Sequence, residues 1–253
     1  MLPVSAVLIT LNAATQLEAC LRSLAFCDEI VIVDSGSYDA TLDIAAQYGA
    51  KVIRSEWLGF GPQKQFAVAQ AKNDWVLCID ADERVSEALA ASIGAMLAAP
   101  ELHVYKFARR NRFMGRYLRH GEGYPDWSLR LFHRGHARWS DDAVHEKVLT
   151  DMPVGTLRGD LLHDSAESLD HYLAKQNRYT TLAAQEALAR GKRASAGKLL
   201  LSPLLRFIKF YFLRLGFLDG LPGLVHILIG CQNSFAKYAK MLAIQANSAK
   251  SPS

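Results

Sequence analysis

The chain has 253 residues, half of them apolar, with 17 Gly, 8 Pro and a formal net charge of +4. This length and composition allow one large domain with appendages, and they exclude fibrous and disordered classes. Four cysteines without metal-ligand spacing or a disulfide framework favour a reducing compartment, the cytoplasm.

The first hundred residues alternate between two kinds of segment. Apolar, β-branched runs predict strands at 4–10, 29–34, 51–54 and 74–80. Segments of helical period predict helices at about 15–25, from Asp39, from the 59–62 loop through Ala71, and at 86–97 with Ser86 as N-cap. Strands that are apolar on both faces and separated by helices indicate an α/β fold with a mainly parallel sheet.

The remainder of the chain is less regular. Aromatic and charged residues crowd together over 101–163, which predicts an irregular region that builds a site. Helical period returns over 169–190, and the tail from about Ser195 is helical and amphipathic.

Two predicted strands end in acidic residues, and ligands bind beyond the carboxyl ends of parallel strands. After one strand comes Asp80-Ala81-Asp82-Glu83, whose carboxylates suit Mg²⁺ or Mn²⁺ bridging a diphosphate. The alternative is a capped turn before the Ser86 helix. Another strand ends in Asp34, which can accept from a base N–H, and Gly36 lets the backbone approach a nucleotide; alone, this would be an ordinary turn.

The first strand, the Asp34 turn and Asp80-Ala81-Asp82 together resemble the nucleotide-diphospho-sugar domain of family 2 glycosyltransferases over 4–83. The blocks at 124–132, 144–146, His163, 217–220 and 235–240 resemble its lipopolysaccharide core β-1,4-glucosyltransferase group. The resemblance implies a GT-A fold. It also implies transfer of a sugar, typically glucose from UDP-glucose, to an inner-core heptose of a lipid-linked acceptor.

The resemblance also implies a role for individual residues. The expected nucleotide-binding residues are Thr10, Asn12, Asp34 (for the uracil), Gly36, Lys64 (for the phosphate), Asp80 and Ala81. The expected metal ligands are Asp82 above all, then Asp80, with His145 or His163 completing the shell. Hydrogen-bonded histidines without a ligand are the alternative for the last two. Zinc is rejected because Leu149 stands where a zinc-protease motif has its second His.

Inverting transfer requires a carboxylate base, and Asp126 is the first choice. It follows Pro125 in a loop, which fits a fixed and partly desolvated carboxylate; the structural alternative is an N-cap for the segment at Trp127. Glu146, Asp141 and Asp142 are competing bases. Arg130 is expected to steer phosphate or an acceptor anion, with a surface ion pair as the alternative.

The tail from Arg190 carries ten Lys and Arg against one acid, Asp219. On a helix over 198–214 the cations Lys198, Arg206, Lys209 and Arg214 fall in one arc, opposite apolar residues that include Phe207, Phe210 and Tyr211. This pattern predicts an interfacial helix on an anionic membrane surface, with Pro203 kinking it or delaying its start. The alternative is packing against the core or a second subunit.

The predicted organisation is a nucleotide-sugar-binding part at 1–100, an acceptor-binding part at 101–189 and a membrane-associating tail at 190–253. The protein is expected on the inner face of a bacterial inner membrane, without a nucleic-acid partner. Two other functions stay open: a sugar nucleotidyltransferase and an inactive transferase-like module that binds membranes. An oxidoreductase is disfavoured because no Gly-x-Gly-x-x-Gly turn is present.

Overall fold

A computed structural model describes residues 1–142, 146–165 and 168–248. The chain divides into two compact units. Unit 1 comprises Met1–Arg110 and Asp126–Asp164, and unit 2 comprises Asn111–Pro125 and Ser165–Ser253. These units differ from the three expected parts because 111–125 belongs with the tail.

Strands and helices alternate through the amino-terminal part, and strands dominate the middle of the chain. The strands are β1 Leu2–Thr10, β2 Cys27–Asp34, β3 Lys51–Arg54, β4 Trp75–Cys78, β5 Glu83–Val85, β6 Val104–Phe113, β7 Arg116–Tyr117, β8 Asp126–His133, β9 Arg138–Trp139, β10 Val148–Leu149 and β11 Val154–His163. The α-helices are α1 Ala14–Ser23, α2 Thr41–Gln47, α3 Phe60–Ala69, α4 Glu87–Ala98, α5 Leu169–Ala189, α6 Ala196–Phe207 and α7 Gly220–Ser248.

Nine of the described strands form one large mixed sheet in the order β3-β2-β1-β4-β8-β6-β11-β5, with β7 beside β6. Strands β9 and β10 pair antiparallel in a separate two-stranded sheet. Strands β3, β2, β1 and β4 are mutually parallel, as the sequence predicts. From β4 onward the pairing changes, because β8 is antiparallel to both β4 and β6. The sheet is curled and flanked by helices, and the α/β prediction is confirmed.

Burial on both faces explains why the first strands are continuously apolar. In β1, Ala6 and Leu8 face a core built with α1, α2 and α4, whereas Val7 faces a core built with α3. Successive side chains of a strand point to opposite faces, so a strand covered on both sides needs apolar residues throughout.

The starts of α4 and α2 can be compared with the capping residues predicted for them. Ser86 accepts a hydrogen bond from the Leu89 N–H and caps α4, which confirms that prediction. Asp39 lies one residue before the N-cap position of α2, where its carboxylate accepts from the Thr41 N–H. The helix therefore begins slightly later than a cap at Asp39 would place it.

The prediction that 101–163 is irregular is wrong. Three long strands, β6, β8 and β11, lie in this range. Charged residues obscured them, because Arg109 and Arg130 occupy strand positions where period-2 alternation would place apolar side chains. A register shift between Tyr105 and Lys106 also breaks the alternation of β6.

Unit 2 combines polar contacts with buried apolar side chains. Asp219 is fully buried and accepts from the backbone N–H groups of Arg119 and His120. Lys240, on α7, donates to the side chains of three residues of α5: Asn177, Thr180 and Thr181. A small apolar cluster of Ala184, Ala194 and Met241 accompanies these contacts.

The tail helix is longer and differently shaped than predicted. It begins at Ala196, capped by Ser195, so the expectation that Pro203 delays its start is wrong. A π-helical turn over Ile208–Leu213 extends it, and a 3₁₀ turn over Gly216–Asp219 leads into α7. In the described ranges no single helix is long and apolar enough to cross a membrane. The pair Ala196–Leu213 and Gly216–Asn247, bent by 73°, meets that requirement only when taken together.

Unit 2 exposes many large apolar side chains on this bent pair. We call the following residues the apolar face: Leu200, Leu201, Leu204, Leu205, Ile208, Phe212 and Leu213. Leu213 keeps 74 % of its surface accessible and Leu200 keeps 68 %. By contrast Phe207, Phe210 and Tyr211, which the sequence placed on the apolar side, are half-buried, and Phe207 stacks on Tyr211.

Gly159 lies where β11 packs on α4, and its replacement by alanine tests how closely the two elements pack. Its φ is +95°, and an added Cβ would lie 2.6 Å from the Leu89 Cα and closer still to its nitrogen. We expect Gly159→Ala to lower the free energy of unfolding by about 3 kcal/mol, because backbone strain and overpacking add. Gly49→Ala is the matched control, since Gly49 has φ +66° and nothing within 4 Å of an added Cβ.

The control should lose only about 1 kcal/mol, from the left-handed conformation alone. Urea denaturation of both variants measures the difference. Equal losses would show that contact with α4 contributes nothing at this position.

Candidate active site

Parallel pairing brings the ends of β1, β2 and β4 to one edge of the sheet. Thr10 and Asp34 are register partners at the ends of β1 and β2, and Asp80 follows β4. Because β8 is antiparallel to β4, its first residue, Asp126, lies toward the same edge, and Arg109 of β6 is its register partner. The residues singled out from the sequence therefore meet in unit 1.

Asp34 organises the turn after β2. Its Oδ1 accepts from the N–H groups of Gly36 and Ser37, and its Oδ2 accepts from the hydroxyls of Thr10 and Ser37. Burial opposes ionisation, but the hydrogen bonds from Ser37, Thr10 and Gly36 outweigh it and hold the pKa of Asp34 below its ordinary value. These donors fill the acceptor sites of a carboxylate, so a uracil N–H would have to displace one of them, for example the rotatable Ser37 hydroxyl.

Asn12 and Gly36 shape the loops beside Asp34. Asn12 has φ +52°, its N–H donates to the Ser37 hydroxyl, and its side-chain oxygen accepts from the Tyr38 N–H. Gly36 has φ +98° and open space where a Cβ would stand. Glycine is needed there for backbone conformation, and the open space leaves room for a ligand.

Two buried cations hold Asp80. Lys64 Nζ lies 3.1 Å from its Oδ1, and Arg130 Nη2 lies 2.7 Å from its Oδ2. Desolvation opposes the charge on Asp80, but Arg130 and Lys64 outweigh it and keep the pKa of this carboxyl well below its usual range. The Asp80 side chain keeps 29 % of its surface accessible, so a ligand can still reach it.

Arg130 is not the surface ion pair considered as an alternative. It is 6 % exposed and contacts both Asp80 and Glu83, and desolvation of its charge is outweighed by these acids, which raise its pKa. Its guanidinium also lies 5.5 Å from the Trp139 ring centroid. In the described ranges, its Nη1 is buried without a hydrogen-bond partner.

Asp82 lies beside a histidine. Its Oδ2 is 3.2 Å from His163 Nε2, and both side chains are about a quarter exposed. Ala81 lies between Asp80 and Asp82, and its side chain packs at the margin of the apolar core. His145 falls outside the described residues. Within the described ranges no group of three or more His, Cys, Asp or Glu has the geometry of a metal site.

Asp126 is the first residue of β8, so its alternative role as an N-cap is wrong. Its Oδ2 accepts from Arg109 Nε at 2.9 Å and from Arg109 Nη2 at 2.8 Å. Two N–H groups of one guanidinium that converge on the same oxygen hold that oxygen in place with charge-assisted hydrogen bonds. The side chain of Asp126 remains 40 % exposed, which leaves it accessible to a substrate.

The three competing acids have different surroundings. Glu146 lies 2.8 Å from Lys64 and is therefore next to the Asp80 cluster. Asp141 is 81 % exposed and pairs with Arg138 at the surface. Asp142 contributes its backbone oxygen, which accepts from the Gly61 N–H.

Sequence reasoning missed Glu83 and Arg109 as members of this site. Glu83 is fully buried, and its Oε1 lies 3.3 Å from Arg109 Nη1 and 3.4 Å from Arg130 Nη2. Two signals were available in the sequence. Glu83 comes directly after Asp80-Ala81-Asp82, and Arg109 interrupts the apolar residues of a strand. Neither feature identifies a partner 26 residues away, and only the sheet brings the two together.

Comparison with known proteins decides the family. The sequence model of glycosyl transferase family 2 matches residues 5–150, which contain β1 to β10 and every site residue above except His163. The chain belongs to this family. It is a glycosyltransferase, so the nucleotidyltransferase alternative is set aside.

Similar proteins cover nearly the whole chain. A Rhizobium meliloti protein named lipopolysaccharide core biosynthesis glycosyltransferase LpsC is 36 % identical over 95 % of this chain and 92 % of its own. An uncharacterized glycosyltransferase of Rickettsia bellii is 31 % identical over 97 % of this chain and 89 % of its own. The similarity therefore continues through unit 2.

A solved structure shows the same fold. S. aureus TarS, crystallised in complex with UDP, aligns with a TM-score of 0.51 over 96 % of this chain and 91 % of that one, at 16 % identity. The family 2 glycosyltransferase therefore has the GT-A fold that its sequence predicted.

Proposed function

We propose that this family 2 glycosyltransferase acts in lipopolysaccharide core assembly, moving glucose from UDP-glucose to an inner-core heptose of a lipid-linked acceptor. The whole-chain similarity to LpsC supports the pathway. The observation that carries the chemistry is the set of acids at one sheet edge, where Asp80 lies between two buried cations, Asp82 beside His163 and Asp126 against Arg109. Turnover of UDP-glucose, compared with UDP-galactose and related donors, tests the donor.

Asp126 is the proposed base. In the reaction, an acceptor hydroxyl oxygen forms a bond to the anomeric carbon while the bond from that carbon to the diphosphate breaks, which inverts the carbon. The hydroxyl proton passes to the Asp126 carboxylate. Arg109 orients the carboxylate through Oδ2. The place of Asp126 at the donor edge and its contact with Arg109 favour it over Asp141, which is 81 % exposed and pairs with Arg138 at the surface.

Lys64 and Arg130 are the proposed contacts of the donor diphosphate. Both are less than 10 % exposed, and Arg130 retains a buried N–H group at Nη1 without a protein partner among the described residues. Cations already held in place stabilise developing negative charge without reorganising. Their present partner, Asp80, would then share them with the donor.

Asp82 and His163 fit a divalent cation. A carboxylate and an imidazole suit Mn²⁺, and Mg²⁺ sites likewise combine one or two carboxylates with phosphate oxygens and water. Asp80 already has a cation on each oxygen, so Asp82 is the better placed of the two acids. A bound cation would neutralise charge on the departing diphosphate.

The apolar face of unit 2 is the proposed membrane contact. Single exposed apolar residues are ordinary on a protein surface, but this face exposes seven large apolar side chains together. Apolar patches of that kind mark membrane or protein interfaces. The excess of cations in the tail favours an anionic bilayer over a protein surface. The protein would then lie on the inner face of the inner membrane, where a lipid-linked acceptor is presented.

Asp82→Ala should reduce UDP-glucose turnover by about 10²-fold or more and weaken Mn²⁺-dependent UDP binding, because the main protein ligand is lost. Turnover assays with Mn²⁺ or EDTA and calorimetry with UDP measure both effects. Asp151→Ala is the matched control, since Asp151 is an exposed acid in a turn outside the site. Near-normal turnover of the unaltered protein in EDTA would rule out metal dependence.

Asp126→Asn should lower kcat by about 10²-fold or more, with UDP binding unchanged, because the isosteric amide cannot take the proton. Glu146→Gln is the informative comparison. If the large loss in kcat occurs in Glu146→Gln and is absent from Asp126→Asn, the base is Glu146.

The membrane test must avoid cations that bind distant segments of unit 2, whereas the side chains of Lys198 and Lys209 contact the nearby Arg193 carbonyl and Phe210 ring. Arg206 pairs with Glu122, and Arg214 donates to the Tyr124 carbonyl, so reversing either charge would disturb unit 2 itself. We therefore choose Leu201→Ser with Leu205→Ser on the apolar face, and separately Lys198→Glu with Lys209→Glu. The matched control is Leu169→Ser with Leu182→Ser, which changes two exposed leucines of α5.

The leucine pair on the apolar face should strongly reduce sedimentation with phosphatidylcholine vesicles that contain phosphatidylglycerol, because insertion of apolar area is lost. The lysine pair should reduce it by an amount that shrinks at high salt, at about 1 kcal/mol per cation. The α5 control should bind normally. Equal binding of the unaltered protein to vesicles without phosphatidylglycerol, or no binding at all, would assign the apolar face to protein packing.

A further inference from the structure

The charged residues of the active site form one chain of alternating sign within unit 1. Starting at the proposed base, the members are Asp126, Arg109, Glu83, Arg130, Asp80, Lys64 and Glu146. Successive separations are 2.8, 3.3, 3.4, 2.7, 3.1 and 2.8 Å. Glu83 is the member that joins the base side of this chain to the donor side.

Glu83 has the least access to solvent of all the acids in this chain. It is fully buried at the start of β5, and its Oε2 accepts from the Asp80 N–H at 3.0 Å. Its Oε1 is shared between Arg109 and Arg130, so one oxygen contacts both arginines. A fully buried carboxylate cannot itself reach an acceptor hydroxyl or the donor.

Each of the two arginines makes its shortest contact with a different acid. Arg109 is closest to Asp126, at 2.8 Å, and Arg130 is closest to Asp80, at 2.7 Å. Without Glu83, these would be two separate ion pairs on neighbouring strands. With it, the two guanidinium groups are set at a fixed separation, and the negative charge between them offsets their mutual repulsion.

We propose that Glu83 is a positioning residue that, through Arg109 and Arg130, fixes the base Asp126 relative to the donor-binding carboxylate Asp80. This inference rests on the proposed role of Asp126. It requires a larger loss in kcat than in donor binding, because Glu83 touches neither substrate and Arg130 keeps its shorter contact with Asp80 when Glu83 is changed. Small displacements of a catalytic group are costly in rate, which is why such a buried link matters.

The test is Glu83→Gln, which keeps the shape and removes the charge. We expect kcat for UDP-glucose hydrolysis in Mn²⁺ to fall by about 10-fold or more, with KM for UDP-glucose changed by less than about 3-fold. A purely structural role would lower stability without this selective loss in kcat.

The matched control is Glu29→Gln. Glu29 is a partly buried carboxylate of β2 that accepts from the Ser5 hydroxyl and the Lys72 N–H, away from the site. It should lose stability while keeping kcat and KM. If Glu83→Gln does not fold, Arg109→Lys tests the same set of contacts at a side chain that is 27 % exposed. A lysine ammonium lacks the planar fork of a guanidinium, so it cannot reproduce the contacts of Arg109 with both Asp126 and Glu83.

The outcomes separate this inference from the proposed function. Near-normal kcat in Asp126→Asn overturns the base assignment, and this inference with it. A strong loss in Asp126→Asn together with normal kcat in Glu83→Gln, or in Arg109→Lys where the first variant does not fold, overturns the positioning role alone. A loss in Glu83→Gln that appears in KM instead of kcat also overturns it.

Discussion

The ion pair between Arg130 and Asp80 is the contact on which the rest of the site depends. Burying two charges costs several kcal/mol per ion, and the pair is tolerated only because further partners surround it. Lys64 contacts the same carboxylate, and Glu83 contacts the same guanidinium. Loss of any one of these side chains would leave a buried charge with one partner fewer, and these contacts join α3, the end of β4, β5 and β8.

Alternating charge also explains how the site can be both buried and reactive. Each cation of this alternating chain lies between two acids. Arg130 and Lys64 outweigh desolvation and keep the pKa of Asp80 well below its usual range although water is largely excluded. Preorganised charges of this kind stabilise a transition state more than water does, because they need not reorient. The cost falls on folding stability, since apolar residues at these positions would pack at no electrostatic cost.

Unit 2 distributes polarity in a different way. Its interior contains the fully buried Asp219 together with buried apolar residues such as Ile227 and Met241, whereas the apolar face points large apolar side chains outward. Apolar side chains left in water gain nothing from burial, and exposed patches of this kind mark membrane or protein interfaces. This distribution is the physical basis for proposing a bilayer as the partner of unit 2, and it leaves the half-buried Phe207, Phe210 and Tyr211 out of the proposed contact.

The sequence alone determined the parallel half of the sheet, the family and the acids at the strand ends, because periodicity and strand-end motifs are local properties of the chain. It also indicated a basic, amphipathic tail. Only the tertiary structure decided that β6 and β8 are strands, that Glu83 and Arg109 belong to the site, and that Arg206 is occupied by Glu122. The reason is that an ion pair between distant residues depends on sheet order and register, and a charge in a strand looks the same in sequence whether it faces water or a partner.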